Sequence, residues 1–289
     1  MGTSWHKLWD RVTAALFAAS AVVAALAVLV IAGYLARQGF GVFTEVSPRA
    51  FFGGLRWSPP GQLGIVVLVA GTMASSLLAL ALGGGLGLAG AIFLARISPR
   101  WMDAVLRPAV NLLAGIPSVV YGWIGLTVFV PVFRRLGGGT GFSLGAAAVV
   151  LGVMILPTVL SLAEDALMAV PRELEDASRA LGATRWQTIR GVTLPVASRG
   201  ISTAFVLALA RAIGEATAVQ MVIGNTPEWP TSIFAPTDTI TGEILTSMGN
   251  APTGSAWSHA LFMLAFLLLL LTIALIVAIR GRGGANIGR

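Results

Sequence analysis

Arg211 and Glu215 stand four residues apart near the end of a long apolar run, where an arginine is out of place. A cation at the centre of a membrane helix costs about 3 kcal/mol on insertion scales, so it is normally set against protein or water rather than lipid. At helical spacing the two side chains share one face and can pair. A guanidinium offers planar, bidentate, permanently charged contacts to an oxyanion, and a neighbouring Glu can moderate affinity so that the anion leaves. A structural ion pair holding two helices in register fits the same two residues.

Val170–Arg199 is the most polar stretch of the chain. Pro171 suits the first position of a helix. Glu173, Glu175 and Asp176 follow where acids complement the positive end of the helix dipole. Leu174, Ala177 and Leu181 fall on one face, and Gly182 ends the helix. Thr184 is an N-cap for a second short helix through Arg190, and Leu194-Pro195 leads into the next apolar run. Helix, glycine turn, helix makes a compact knob that can enter a partner's groove and push on the adjoining segments. An ordinary connecting loop, solvated by its arginines, fits the spacing as well.

Other candidate chemistries are weaker. Gly85-x-Gly87-x-x-Gly90 matches a dinucleotide fingerprint as a string, but it lies inside an apolar run and no acid follows at the required distance. Close helix packing explains it better. No phosphate-binding P-loop string occurs in the chain. His6 and His259 are isolated, and no Ser/His, paired-Asp or HExxH constellation supports an enzyme within the membrane. Glu164 and Asp165 are expected to be solvated. With no cysteine, disulfides and thiolate metal sites are excluded.

The elements that must position these residues are membrane helices. The chain is 56% hydrophobic and 11% charged, against roughly a quarter charged in soluble domains. Six runs reach the ~20 residues that a span needs: about 14–35, 62–95, 105–133, 144–168, 196–223 and 257–279. The second exceeds one span and must tilt or project. Pro117, Pro131 and Pro157 lie inside runs, where a helix kinks or ends unless its neighbours compensate. With a cytoplasmic N-terminus the inner side holds thirteen Lys and Arg, the outer side five (Arg37, Arg49, Arg56, Arg134, Arg135), and Arg211 falls in a span. The positive-inside rule therefore puts both termini in the cytoplasm. Of two sizeable outer loops, 36–61 and 224–256, the second carries Glu228, Asp238 and Glu243 and is expected to be irregular. Trp5, Trp9, Trp57, Trp229 and Trp257 lie near the expected interfaces, as an aromatic belt would. No clean internal repeat is present.

Asp176-Ala177-Ser178, then Gly182, then Val192-Thr193-Leu194-Pro195 resembles the EAA loop of ABC importer permeases, with Asp for Glu, Ser for the second Ala and Val for Ile. The resemblance continues in Ala114–Gly122, Val170–Leu174, Leu181–Trp186, Arg211–Val219 and Met221–Asn225. These stretches are similar to phosphate permeases of the PstC type, and Ala216 interrupts that family's usual Glu-Thr step. The resemblance implies a docking loop for a separate ATPase, with Asp176, Ala177, Ser178, Gly182, Thr184, Arg185, Leu194 and Pro195 as its coupling residues. It implies a phosphate pathway at Arg211 and Glu215.

The expectation is therefore an all-α membrane protein of the type I ABC importer permease fold, multi-pass in a bacterial inner membrane. Residues 1–13 form a cytoplasmic segment, 14–61 the first helix and outer loop, 62–279 the permease core with its 170–199 coupling loop, and 280–289 a cytoplasmic tail. Implied partners are an ABC ATPase dimer, a second PstA-type permease, an extracytoplasmic phosphate-binding protein and membrane lipid, with no nucleic acid. No cofactor or metal belongs to this chain, ATP and Mg being the ATPase's. Another oxyanion such as molybdate or sulfate is the alternative cargo, and an ion-coupled secondary carrier the rival class.

Overall fold

The computed structural model describes residues 3–137 and 139–283. Residues 284–289 of the expected tail lie outside the described residues, as do the side chains of Trp5, His6, Lys7, Trp9, Arg11, Arg280 and Arg282. Among the described residues six helices are long and apolar enough to cross a membrane, as the hydropathy requires. They are α1 (Thr3–Phe40), α3 (Val66–Ile97), α5 (Ser118–Gly137), α6 (Leu144–Met168), α8 (Arg185–Gly214) and α11 (Ala256–Gly283). Between them lie α2 (Pro48–Gly53), a two-residue hairpin of β1 (Trp57–Ser58) and β2 (Gln62–Leu63), α4 (Arg100–Gly115), α7 (Arg172–Ala180), α9 (Thr217–Gln220) and α10 (Ile240–Ser247).

Two runs are divided differently from the hydropathy reading. The third, expected over 105–133, breaks at Ile116, whose extended backbone (φ −70°, ψ 130°) precedes Pro117. A residue before proline is pushed out of the helical region. Everything upstream forms α4, an amphipathic helix with Trp101, Val105 and Leu112 exposed. The fifth run, expected over 196–223, instead starts at Arg185 and stops at Gly214. The short second helix of the polar stretch is thus the first turn of α8. It passes into the span through a π turn, Ile189–Thr193, so Leu194-Pro195 lies inside a continuous helix. Pro195 lacks an N–H and crowds the carbonyl four residues back, and the widened turn before it relieves that conflict.

α6 is the central post. It packs against α3, α8 and α5, and Val150, Leu151, Ile155 and Val159 are buried along it. Small residues permit the approach: a Cβ at Gly83 would run into the Gly152 carbonyl, and one at Gly87 would stand 2.9 Å from the Leu156 carbonyl. Gly87 and Gly90 of the fingerprint string are therefore packing residues of α3 against α6. A second cluster closes the end of the bundle opposite the polar stretch, joining Phe51, Trp57, Leu63, Leu68, Ile240 and Leu261. Trp57 is buried there, so it is a core residue and no part of an aromatic belt. A third, of Ala91, Ala163, Leu167, Val170, Ala197 and Ala204, joins α3, α6 and α8 beneath the polar stretch. α1 stands apart. None of its most apolar window is buried, and its later turns lean on α11 through Tyr34–Phe262.

Candidate functional site

Arg211 lies in the last turn of α8 and Glu215 just past its end. Gly214 finishes the helix and Glu215 is extended (φ −76°, ψ 126°), so the helical geometry that would let the two side chains meet is lost. The expected Arg211–Glu215 pair does not form. Instead the Arg211 guanidinium donates to the Thr158 hydroxyl of α6 at 3.1 Å. Among the described residues no carboxylate lies within ion-pair distance of it. Glu215 is bound locally instead: its Oε1 accepts the Ala218 N–H of α9 at 3.1 Å, and its carbonyl accepts the Thr241 hydroxyl at 2.8 Å. An exposed, unneutralised guanidinium held by a neutral hydroxyl keeps its remaining donors available to an anion.

The break in α8 is propped by a segment that the sequence reading expected to be irregular. Residues 238–247 fold back against α3, and Thr239 caps α10 by accepting the Gly242 N–H at 3.0 Å. The Ile240 N–H donates to Thr72 of α3 at 2.9 Å, and a Cβ at Gly71 would strike the Asp238 carbonyl. Asp238 is 1% exposed. Burial pushes its carboxyl up to about 8, the adjacent Glu243 adding to the rise and the Thr239 N–H opposing it. The sequence signal for it is Thr239 immediately before Ile240, inside a Pro- and Thr-rich loop.

In the polar stretch the expected motif is present: α7, a turn, and the start of α8. Gly182 follows α7 with φ +86°, a conformation that disfavours any side chain. Thr184 caps α8 in a reciprocal box with Gln187: the Thr184 N–H donates to the Gln187 side chain at 2.8 Å, and the Gln187 N–H to the Thr184 hydroxyl at 3.4 Å. Asp176, Ala177, Leu174 and Leu181 are exposed, so the apolar face of α7 is left uncovered by this chain. Ser178 meets Thr188 at 3.1 Å, Arg185 reaches the Arg96 carbonyl, Leu194 is half-buried and Pro195 exposed. The residues that seat the motif were missed: Glu175, buried on the inner face of α7, pairs with Arg96 at 2.7 Å.

Glu164 is also a correction. It is 5% exposed and ion-paired with Arg107 of α4, because α4 covers the end of α6 that a simple loop would have left open; Asp165 remains exposed. The pair borders a cavity of about 190 Å³ shared by Asn111 and Ser161. His259 contacts the Gln38 carbonyl at 2.7 Å, and the described residues contain no metal-ligating cluster.

Residues 87–281 match the model of the binding-protein-dependent transport system inner membrane component family. The chain is 44% identical to the probable ABC transporter permease protein YqgH of Bacillus subtilis (strain 168), over 90% of this chain and 85% of that one. It is 34% identical to the phosphate transport system permease protein PstC of Mesorhizobium japonicum, over 94% and 93% respectively. Among solved structures, a bacterial ABC transporter that imports the acidic polysaccharide alginate aligns with a TM-score of 0.63 at 15% identity, covering 98% of this chain and all of that one. The MetNI methionine ABC transporter in an inward-facing conformation aligns at 0.53 and 26% identity, over 75% and 94%.

Proposed function

The chain belongs to the binding-protein-dependent transport system inner membrane components, and from that premise we propose that the cargo of this multi-pass inner-membrane ABC importer permease is inorganic phosphate. The observation that carries the reading is Arg211, a guanidinium at the break of a span, held by Thr158 and free of any described carboxylate. Planar, bidentate donors match a tetrahedral oxyanion. The uncovered apolar face of α7 supports docking of an ATPase dimer, which binds and hydrolyses MgATP. The exposed faces of α1, α4 and α5 are where lipid and a second permease of the PstA type would lie. The count of thirteen basic residues against five supports cytoplasmic termini and a cytoplasmic α7. An extracytoplasmic phosphate-binding protein would then deliver cargo on the far side. The permease core would span 62–279, alternating between inward and outward openings as the ATPases close and separate.

The test is phosphate uptake with Arg211→Gln and Arg211→Lys in the assembled importer. Gln should abolish uptake while the chain still assembles, and Lys, which keeps the charge but loses the fork, should retain a fraction. Normal uptake by the Gln variant would remove Arg211 from the pathway. Competition by molybdate or sulfate at equal strength would reassign the cargo to another oxyanion. Uptake that survives loss of every ATPase would favour an ion-coupled carrier.

A further inference from the structure

Glu175 is the acidic side chain of α7 that turns inward, and it is 9% exposed. Its Oε1 accepts the Thr193 hydroxyl at 2.8 Å and meets Arg96 Nε at 2.7 Å. Its Oε2 lies 3.9 Å from Arg179. Arg96 also donates to the Leu167 carbonyl at 2.6 Å. One carboxylate thereby gathers the ends of three spans: α3 through Arg96, α6 through Leu167, and α8 through Thr193.

Arg96 and Glu175 are joined as an ion pair, and the Thr193 hydroxyl gives the carboxylate a directional, charge-assisted hydrogen bond; a buried carboxylate is held in place because parting from its partners leaves it unsolvated. Thr193 is fully buried and ends the π turn Ile189–Thr193, the part of α8 whose hydrogen-bond ladder is already loosened. On another face of α7 Leu174 is 44% exposed, and Leu181 just past its end is 90% exposed. The short helix therefore has one face open to a partner and one carboxylate bolted to the bundle.

We propose that Glu175 is the positioning residue that transmits movement of α7 to α3, α6 and α8, so that it sets how tightly ATP hydrolysis is coupled to transport. This rests on reading α7 as the ATPase-docking helix. The Thr193 hydroxyl carries the pull to the bendable turn of α8, while Arg96 moves α3 and, through Leu167, α6 with it. Asp176, one position on, faces solvent and lacks these links.

The experiment uses the complete importer in lipid nanodiscs or proteoliposomes. It measures ATPase retained on co-purification and phosphate transported per ATP hydrolysed. Glu175→Gln should retain the ATPase but lower transport per ATP by about tenfold, the equivalent of one charge-assisted hydrogen bond. Thr193→Val should lower the ratio in the same direction, and Thr193→Ser, which keeps the hydroxyl, should preserve it. An unchanged ratio in both Glu175→Gln and Thr193→Val would overturn the proposal. So would loss of the ATPase from either variant with the ratio intact in what remains bound, since Glu175 would then only shape the docking surface. A wild-type chain that retains no ATPase overturns the docking reading, and this inference with it.

Discussion

Replacing Asp238 with Asn should abolish a pH dependence of stability that the wild-type protein must have. The folded carboxyl titrates at about 8, against an ordinary 3.8, because burial at 1% exposure and the nearby Glu243 both disfavour its charge. Between those values the unfolded chain has lost the proton and the folded chain keeps it. The folded state then binds more protons, so stability falls as pH rises. The contribution is fully present below the unfolded value and is lost as pH climbs to the folded one, beyond which the loss levels off. Each pH unit is worth about 1.4 kcal/mol, so the two units from about pH 6 to 8 remove roughly 3 kcal/mol. Asn retains an oxygen to accept the Thr239 N–H and adds a donor toward Glu243, without the proton to lose. The assay is intrinsic tryptophan fluorescence during thermal unfolding in detergent, wild type against Asp238→Asn, at pH 6, 7, 8 and 9. The wild-type midpoint should drop by several degrees up to pH 8 and then flatten, while the variant's stays level. Parallel curves for the two proteins would refute the reasoning, since they would mean that Asp238 is ionised in the folded state.

Two further substitutions test packing and turn chemistry. Gly83→Ala drives a methyl into the Gly152 carbonyl and should destabilise the α3–α6 contact by about 1–3 kcal/mol, read as a lower unfolding midpoint. Gly152→Ala, whose Cβ would stand 3.4 Å from its neighbours, should be much milder. Gly182→Ala meets no neighbouring atom but forces a side chain into φ +86°, costing about 1–2 kcal/mol of backbone strain. It should therefore weaken ATPase co-purification with little effect on bundle stability.

The membrane helices were legible because hydropathy over twenty residues is a local property. α6 was located to the residue, and the Gly182 turn and Thr184 cap were read from types that serve few other purposes. Errors arose where a local break competed with a continuous apolar run. Ile116 and Gly214 both interrupt runs that hydropathy treats as unbroken, and each interruption reassigns neighbouring residues. The break at Gly214 separated Glu215 from Arg211, and the one at Ile116 freed α4 to cover Glu164. Glu175 looks in sequence like a dipole-complementing acid, because spacing cannot say which face of a nine-residue helix meets the bundle.

Composition and pattern by themselves determined that this is a six-span membrane protein whose polar stretch forms a helix, a glycine turn and a helix. They also marked Arg211 as a cation that needs a reason. Those conclusions follow from the cost of moving charge and backbone out of water, which each segment meets on its own. Only the tertiary structure decided what each charge touches. Arg211 rests on Thr158 from another helix, Glu164 on Arg107, Glu175 on Arg96 seventy-nine positions earlier, and Asp238 is sealed against α3. A buried charge is stabilised by whichever partner the packing brings within hydrogen-bond distance, and across a helical bundle that partner is seldom near in sequence.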